Sequence, residues 1–230
     1  MGATSLKVVP FISMNNRVIF YIDGFNLYYG IRDRGPMRPS KRDHNKICPT
    51  KTGKFKWLDL SRLCKLLMQN GNIVKIKYFT ARIKGEPDKI SRQENYLNLL
   101  STYENIEIIE GNFLFSQVTM RNYYQPDKWV KVIKNEEKGT DVNIASHMLI
   151  DGFNDKYDIA ALVSNDSDFA YTLRFIKEKL NKKVIIFNPQ HKPSKTLSDI
   201  TTVKNIFDNT LKNAQFPSII KCFVRPPEWK

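Results

Sequence analysis

Val18, Ile19, Phe20, Tyr21 and Ile22 run without interruption into Asp23 and Gly24. An unbroken series of β-branched and aromatic side chains, with no polar residue on alternate positions, describes a strand buried on both faces. Such a strand belongs in the middle of a parallel sheet with helices on each side. An acid that ends it leaves water with it, and needs a charged or hydrogen-bonding partner.

The rest of the chain supplies the alternation of strand and helix that such a sheet requires. Helical periodicity at residues 58–68 precedes a strand at 73–81, and a helix at 87–103 precedes a strand at 106–109. Residues 118–134 read as an irregular hairpin around Pro126. From Gly139 onward the pattern is regular, with a helix at 141–150, a strand at 159–163, a helix at 169–180 and a strand at 184–187 closed by Asn188 and Pro189. Residues 197–207 read as a last helix, and the tail ending in Pro226, Pro227, Glu228 and Trp229 has no assignment. The expected class is α/β, a doubly wound, mainly parallel sheet with helices on both faces. One domain is expected over residues 17–205, with an N-terminal segment 1–16, a basic insertion 32–56 and a C-terminal tail 206–230.

Charge narrows the partners. Lys and Arg number 37 against 23 Asp and Glu, a formal charge of +14, which attracts polyanions over the range that salt screening allows. Nucleic acid is the partner expected first. No apolar stretch approaches the roughly 18 residues that span a bilayer, and no membrane partner is expected. Cys48, Cys64 and Cys222 are odd in number and widely spaced, so they suggest neither a disulfide framework nor a zinc site. His44 stands four residues before Cys48 without the further ligands that tetrahedral zinc needs. With no signal peptide legible, a reducing cytoplasm is the expected location. The sequence leaves oligomeric state open.

Ligands of an open parallel sheet bind beyond the carboxyl ends of its strands, where strand order reverses. Asp23 follows the first strand, and Asp166 and Asp168 follow the strand at 159–163, so their carboxylates are expected on one rim. Asp141 opens the helix leading into that second strand and stands at the edge of the same cleft. Each acid also has a structural explanation: Asp168 as a cap for the helix after it, Asp141 as a favourable charge in a first helical turn. Asp23 is harder to explain that way, given its desolvation. Acids gathered on one rim repel one another, and Mg²⁺ or Mn²⁺ relieves that repulsion because hard cations prefer carboxylate oxygen and water.

Three segments, Tyr21-Ile-Asp-Gly-Phe-Asn-Leu-Tyr-Tyr-Gly30, Lys138-Gly-Thr-Asp-Val142 and Ser164-Asn-Asp-Ser-Asp-Phe169, resemble in order and spacing the motifs of the bacterial NYN domains, including the LabA-like group. The resemblance runs from about Arg17 to Pro189. It implies a PIN-like fold and metal-dependent cleavage of RNA, with Asp23, Asp141, Asp166 and Asp168 at the family's acidic positions and Asn26 at the polar position after the first strand. Asn165 departs from the pattern, standing where many relatives have Gly, and its tolerance of left-handed backbone is expected to preserve the turn.

The chemistry expected is in-line hydrolysis of a phosphodiester in RNA or single-stranded DNA, with Asp23 and Asp166 as principal metal ligands and Asp141 and Asp168 acting directly or through water. Ser164, Asn26 and Thr140 are candidates to orient water or phosphate. Lys41, Arg42, Lys46 and Lys51, in the basic insertion, are candidates to contact substrate. His147, nearly opposite Asp141 on its helix, reads as a packing or surface residue and His191 as an exposed loop residue. Tyr28, Tyr29, Tyr123 and Tyr124 are candidates to stack on unpaired bases. The alternative is a binding or regulatory module that keeps the basic surface without cleaving. A phosphatase of the haloacid dehalogenase type is disfavoured, because Phe25 stands where its second Asp would be.

Overall fold

The computed structural model describes residues 16–39, 47–49 and 53–229. In chain order the elements are β1 (Arg17–Asp23), α1 (Gly24–Arg32), the antiparallel pair β2 (Met37–Pro39) and β3 (Ile47–Pro49), α2 (Leu60–Leu67), β4 (Asn72–Ala81), α3 (Pro87–Leu100), β5 (Ile106–Arg121), β6 (Trp129–Lys138) and α4 (Thr140–Phe153). Then follow β7 (Ile159–Val163), a 3-10 turn at Ser167–Phe169, α5 (Ala170–Glu178), β8 (Lys183–Asn188), α6 (Lys195–Ile200), β9 (Thr202–Asn205), α7 (Asp208–Asn213) and a closing pair, β10 (Ile219–Ile220) and β11 (Phe223–Val224).

Seven strands form one sheet in the order β6-β5-β4-β1-β7-β8-β9, all parallel except β6 against β5. The apolar run from Val18 to Ile22 lies at its centre. Val18, Phe20 and Ile22 face one core with Leu27 and Ile31 of α1, Leu60 and Leu63 of α2, and Leu97 and Leu100 of α3. Ile19 and Tyr21 face the other, with Ile144 and Met148 of α4, Leu173 and Ile176 of α5, and Leu197 of α6. Alternate side chains of one strand thus fill two cores, which is why no polar residue interrupts the run. Each large apolar side chain buried this way contributes about 1.5–3 kcal/mol.

The second core is crossed by a buried polar network. Lys77 Nζ lies 2.6 Å from Asp151 Oδ2, Tyr21 donates its hydroxyl to the same oxygen at 2.9 Å, and Lys156 Nζ reaches Asp151 Oδ1 at 3.1 Å. Burial would raise the Asp151 pKa, but the hydrogen bonds from Lys77, Tyr21 and Lys156 overcome it and hold the carboxyl below its ordinary value.

Two expectations are corrected. Residues 197–207 are not one helix. α6 ends at Ile200, and the β-branched Thr201, Thr202 and Val203 turn extended to add β9 to the sheet edge, Thr201 donating its hydroxyl to the Val184 carbonyl. The hairpin around Pro126 is regular. Its strands pair residue for residue from Asn112↔Lys138 to Arg121↔Trp129. Irregularity is confined to the turn, where Asn122 Oδ1 accepts from the backbone N–H of Tyr124 and Gln125.

The unassigned tail packs on the first core. Phe216 and Trp229 both lie against the fully buried Trp57, whose indole N–H donates to the Pro217 carbonyl. Cys64 is buried and Cys222 exposed, both free thiols. Among the described residues no helix is long and apolar enough to cross a membrane.

Candidate active site at the strand-order switch

β1 is the point where strand order reverses. The chain proceeds outward from it through β4 and β5, then returns to lay β7, β8 and β9 on its other side. Because β1 and β7 are parallel, with Ile22 opposite Val163, the residues just beyond them share one rim, as the sequence predicts.

Asp23 ends β1 and caps α1. Its Oδ1 accepts from the Asn26 backbone N–H at 2.9 Å, and its Oδ2 accepts from Ser164 Oγ at 3.0 Å. Only 5% of Asp23 is exposed, and Ser164 is fully buried. Ser164 Oγ also accepts from the Asp166 backbone N–H at 3.1 Å. Gly24 lets α1 begin so close to the sheet, since a Cβ there would lie 2.5 Å from the Phe79 carbonyl oxygen. These are the partners that a carboxylate at the end of an apolar strand requires.

Asp166, not Asp168, caps the next turn, its Oδ1 accepting from the Asp168 backbone N–H at 3.0 Å. The cap falls two residues earlier than expected because the chain enters α5 through the 3-10 turn. Asp166 is partly buried and Asp168 exposed. Asp141, also exposed, stands in the first turn of α4, as expected, after Gly139, whose φ of +91° favours glycine at the N-cap. Thr140 beside it is buried.

Asn26 joins three loops. Its Oδ1 accepts from the Asn165 backbone N–H and from Gln190 Nε2, both at 3.1 Å. The Asn165 amide accepts from the Ser194 backbone N–H at 2.7 Å and donates to the Lys192 carbonyl at 2.9 Å. Asn165 is not left-handed. The described non-glycine residues with positive φ are Phe55, Asp155, Asn181 and Lys221. It preserves the turn by cross-linking the ends of β7 and β8 through its side chain. Gln190 and the buried Asn188, which extend this network, went unnoticed in the sequence, where Asn188 read only as a strand stop.

Burial is the largest influence on the Asp23 carboxyl and pushes its pKa up. The bonds from Asn26 and Ser164 oppose that, the charges of Asp141 and Asp166 add to it, and the value reaches about 6. Asp23 therefore feels the charges of two of the other three predicted acids. Among the described residues, however, no group of three or more His, Cys, Asp or Glu is gathered tightly enough to hold a metal by itself. The all-oxygen donors and their mutual repulsion suit a hard cation, and Mg²⁺ in particular binds through one or two carboxylates and keeps several waters.

The other candidates lie elsewhere. His147 stands 3.0 Å from Lys77 Nζ and edge-on to Phe79, in the second core's polar network. His191 lies 3.1 Å from the Asp33 carbonyl oxygen in an exposed loop. Tyr123 and Tyr124 sit in the exposed turn between β5 and β6. Tyr28 and Tyr29 are half-exposed on α1, with Lys56 over the first ring and Arg32 over the second. Lys41, Arg42, Lys46 and Lys51 lie outside the described residues.

A doubly wound sheet with an acidic rim at its switch point, and three motifs in this order, define a nuclease-like α/β module. The chain belongs to the NYN domain family, whose pattern matches residues 17–207. It is similar to the 6-hydroxy-3-succinoylpyridine 3-monooxygenase HspA of Pseudomonas putida, at 26% identity over 252 residues covering 93% of this chain and 75% of HspA. A protein of unknown function from Vibrio parahaemolyticus shares the fold, with a TM-score of 0.53 and 19% identity over 84% of this chain and 94% of that one.

Proposed function

We propose that this protein is a metal-dependent ribonuclease of the cytoplasm that hydrolyses phosphodiester bonds of single-stranded RNA. The observation that carries the reading is the Asp23 carboxylate, buried at the switch point, hydrogen-bonded on both oxygens and facing the charges of Asp141 and Asp166. Such an acid costs stability in the fold and is maintained where it binds something positive.

Asp23 and Asp166 would hold Mg²⁺ or Mn²⁺, with Asp141 and Asp168 contributing directly or through water. When bound, the cation supplies charge neutralisation for the phosphodiester and makes water more acidic. The chain's own residues do the rest. Ser164 and the Asn26 N–H fix the Asp23 carboxylate, and the Asn26 amide holds the loops after β7 and β8 in register with it. Lys41, Arg42, Lys46 and Lys51 would deliver the polyanion to the rim.

The test is incubation of labelled RNA and DNA with the purified protein in Mn²⁺, Mg²⁺ or EDTA, beside the Asp166→Asn variant. Cleavage should need the cation and disappear in the variant. Undiminished cleavage in EDTA would sink the mechanism, and cation-independent binding without cleavage would make the protein a binding module. A second reading takes its chemistry from the name of HspA, and an aromatic cavity beside α1 favours it. Consumption of 6-hydroxy-3-succinoylpyridine by a protein that leaves RNA intact would decide for that reading.

A further inference from the structure

Beside the acidic rim, under α1, lies a cavity of about 400 Å³, within the range of small-ligand sites. Tyr28, Tyr78, Tyr96 and Trp229 supply aromatic lining. Trp229 comes from the C-terminal segment, and its ring is held 6.1 Å from Trp57 and 5.9 Å from Tyr96. Arg32, Lys56, Lys89 and Arg92 also line the cavity, against the carboxylate of Glu228, the one acid among the described lining residues.

Those cations differ in what occupies them. Arg32 is paired with Asp33 and Lys89 with Glu86, each a neighbour in sequence. Arg92 is bound by Glu228 at 3.0 Å, so a carboxylate already stands at one end of the cavity. Lys56 makes no ion pair among the described residues. Its ammonium rests 4.7 Å from the Tyr28 ring centre and 3.2 Å from the Tyr28 hydroxyl. Two of the neutral polar groups are already engaged: the Gln93 amide bonds to Ile83 N–H and the Ala81 carbonyl, and the Tyr96 hydroxyl donates to the Leu58 carbonyl. What the cavity chiefly offers a ligand is ring surface and positive charge.

We propose that this cavity binds a planar aromatic ring carrying an anionic group, the ring against Tyr28, Tyr96 and Trp229 and the anion at Lys56 and Arg92, in place of Glu228. Two sources supply that chemistry, a nucleotide of single-stranded RNA and a free small aromatic carboxylic acid. The site does not depend on the hydrolytic reading. Gly24 lines it and Asp23 precedes Gly24, so a nucleotide seated here would bring its neighbouring phosphate toward the rim.

The test is calorimetric titration of the full chain with adenosine 5′-monophosphate, adenosine, benzoate and inorganic phosphate, each also against Lys56→Met, Tyr28→Ala and Glu228→Gln. Adenosine and inorganic phosphate should bind at least tenfold more weakly than the preferred aromatic anion. Lys56→Met should weaken that anion roughly tenfold or more, the scale of a lost charged hydrogen bond. Tyr28→Ala should weaken it severalfold, and Glu228→Gln should tighten it by removing the competing carboxylate. Circular dichroism checks that these partly exposed positions leave the fold intact. Preference for the monophosphate assigns the site to nucleotides, and preference for benzoate to small acids. Absence of both at millimolar concentration, binding unchanged by Lys56→Met and Glu228→Gln, or inorganic phosphate binding as tightly as either would overturn the proposal. Asp166→Asn should retain the binding, which separates this site from hydrolysis.

Discussion

Ser164 Oγ donates a 3.0 Å hydrogen bond to Asp23 Oδ2, linking residues 141 positions apart across two parallel strands. Removing that donor in Ser164→Ala should raise the Asp23 pKa above its present value of about 6. A hydrogen bond to a charged group is worth about 1.5–3 kcal/mol, so the shift is roughly one to two pH units. In the metal-free protein an NMR titration of the Asp23 carboxyl should show its midpoint moved up by that amount. An unmoved midpoint would show that the Ser164 bond does not hold the Asp23 pKa down.

Asp23 also sets a pH trend in stability. Its folded pKa of about 6 lies above the ordinary 3.8, so between those values the folded state binds the extra proton. Stability in metal-free buffer should rise as pH falls through 6, and the gain should be complete near 3.8. The shift corresponds to about 3 kcal/mol. Asp23→Asn should abolish this trend and, at pH 7.5 without metal, melt at the same or higher temperature than the parent. A clear fall in its melting temperature would make Asp23 a structural partner instead.

Asp151 works in the opposite sense. Its pKa is held below the ordinary 3.8, so its contribution is present above that value and lost as pH falls through the folded pKa. Together the two shifts place their combined maximum in metal-free buffer near pH 4. Lys77→Met leaves Asp151 buried with a charge only partly compensated, at a cost of about 3–5 kcal/mol in urea unfolding. Pairing it with Asp151→Leu should recover most of that loss, and failure to recover would show that packing, not charge, dominates there.

Gly24→Ala should destabilise the fold by about 1–3 kcal/mol, because its Cβ would meet the backbone oxygen of Phe79 at 2.5 Å and neither side can move independently of the sheet. Thermal unfolding measures this. An unchanged melting temperature would mean that α1 can shift away from β4 at little cost.

Neutralising Lys41, Arg42, Lys46 and Lys51 together should weaken RNA binding and flatten its dependence on salt, by roughly 0.7 in the log–log slope for each phosphate that is no longer neutralised. Asp166→Asn should do the reverse, keeping most binding while losing turnover. An unchanged slope in the fourfold variant would remove those residues from the substrate path.

Much of this arrangement was legible because it rests on local patterns. The run from Val18 to Ile22 announces a central strand, and the acids after two parallel strands announce a shared rim. Other features depend on pairings with no local signal. Lys77 sits in a strand whose sequence does not reveal that Asp151, far along the chain, completes its charge. The switch from helix to edge strand after Ile200 is decided by a sheet edge available to Thr202–Asn205. Asp166 takes the cap because of a 3-10 turn that periodicity does not distinguish from helix. The cavity under α1 is assembled from α1, α3 and the last residues of the chain, and no short window contains it.

The pairing of β1 with β7 also has a consequence for how the chain reaches this state. Asp23 is synthesised some 140 residues ahead of its Ser164 partner and the Asp166 charge. Loops that long must close before the pairing repays their entropy, which makes such pairings slow to form. The β1–β4 and β4–β5 pairings join residues closer in sequence than the β1–β7 pairing does. The rim is complete only when β7 lies beside β1, so a chain that stops short of that strand carries Asp23 without Ser164 and Asp166.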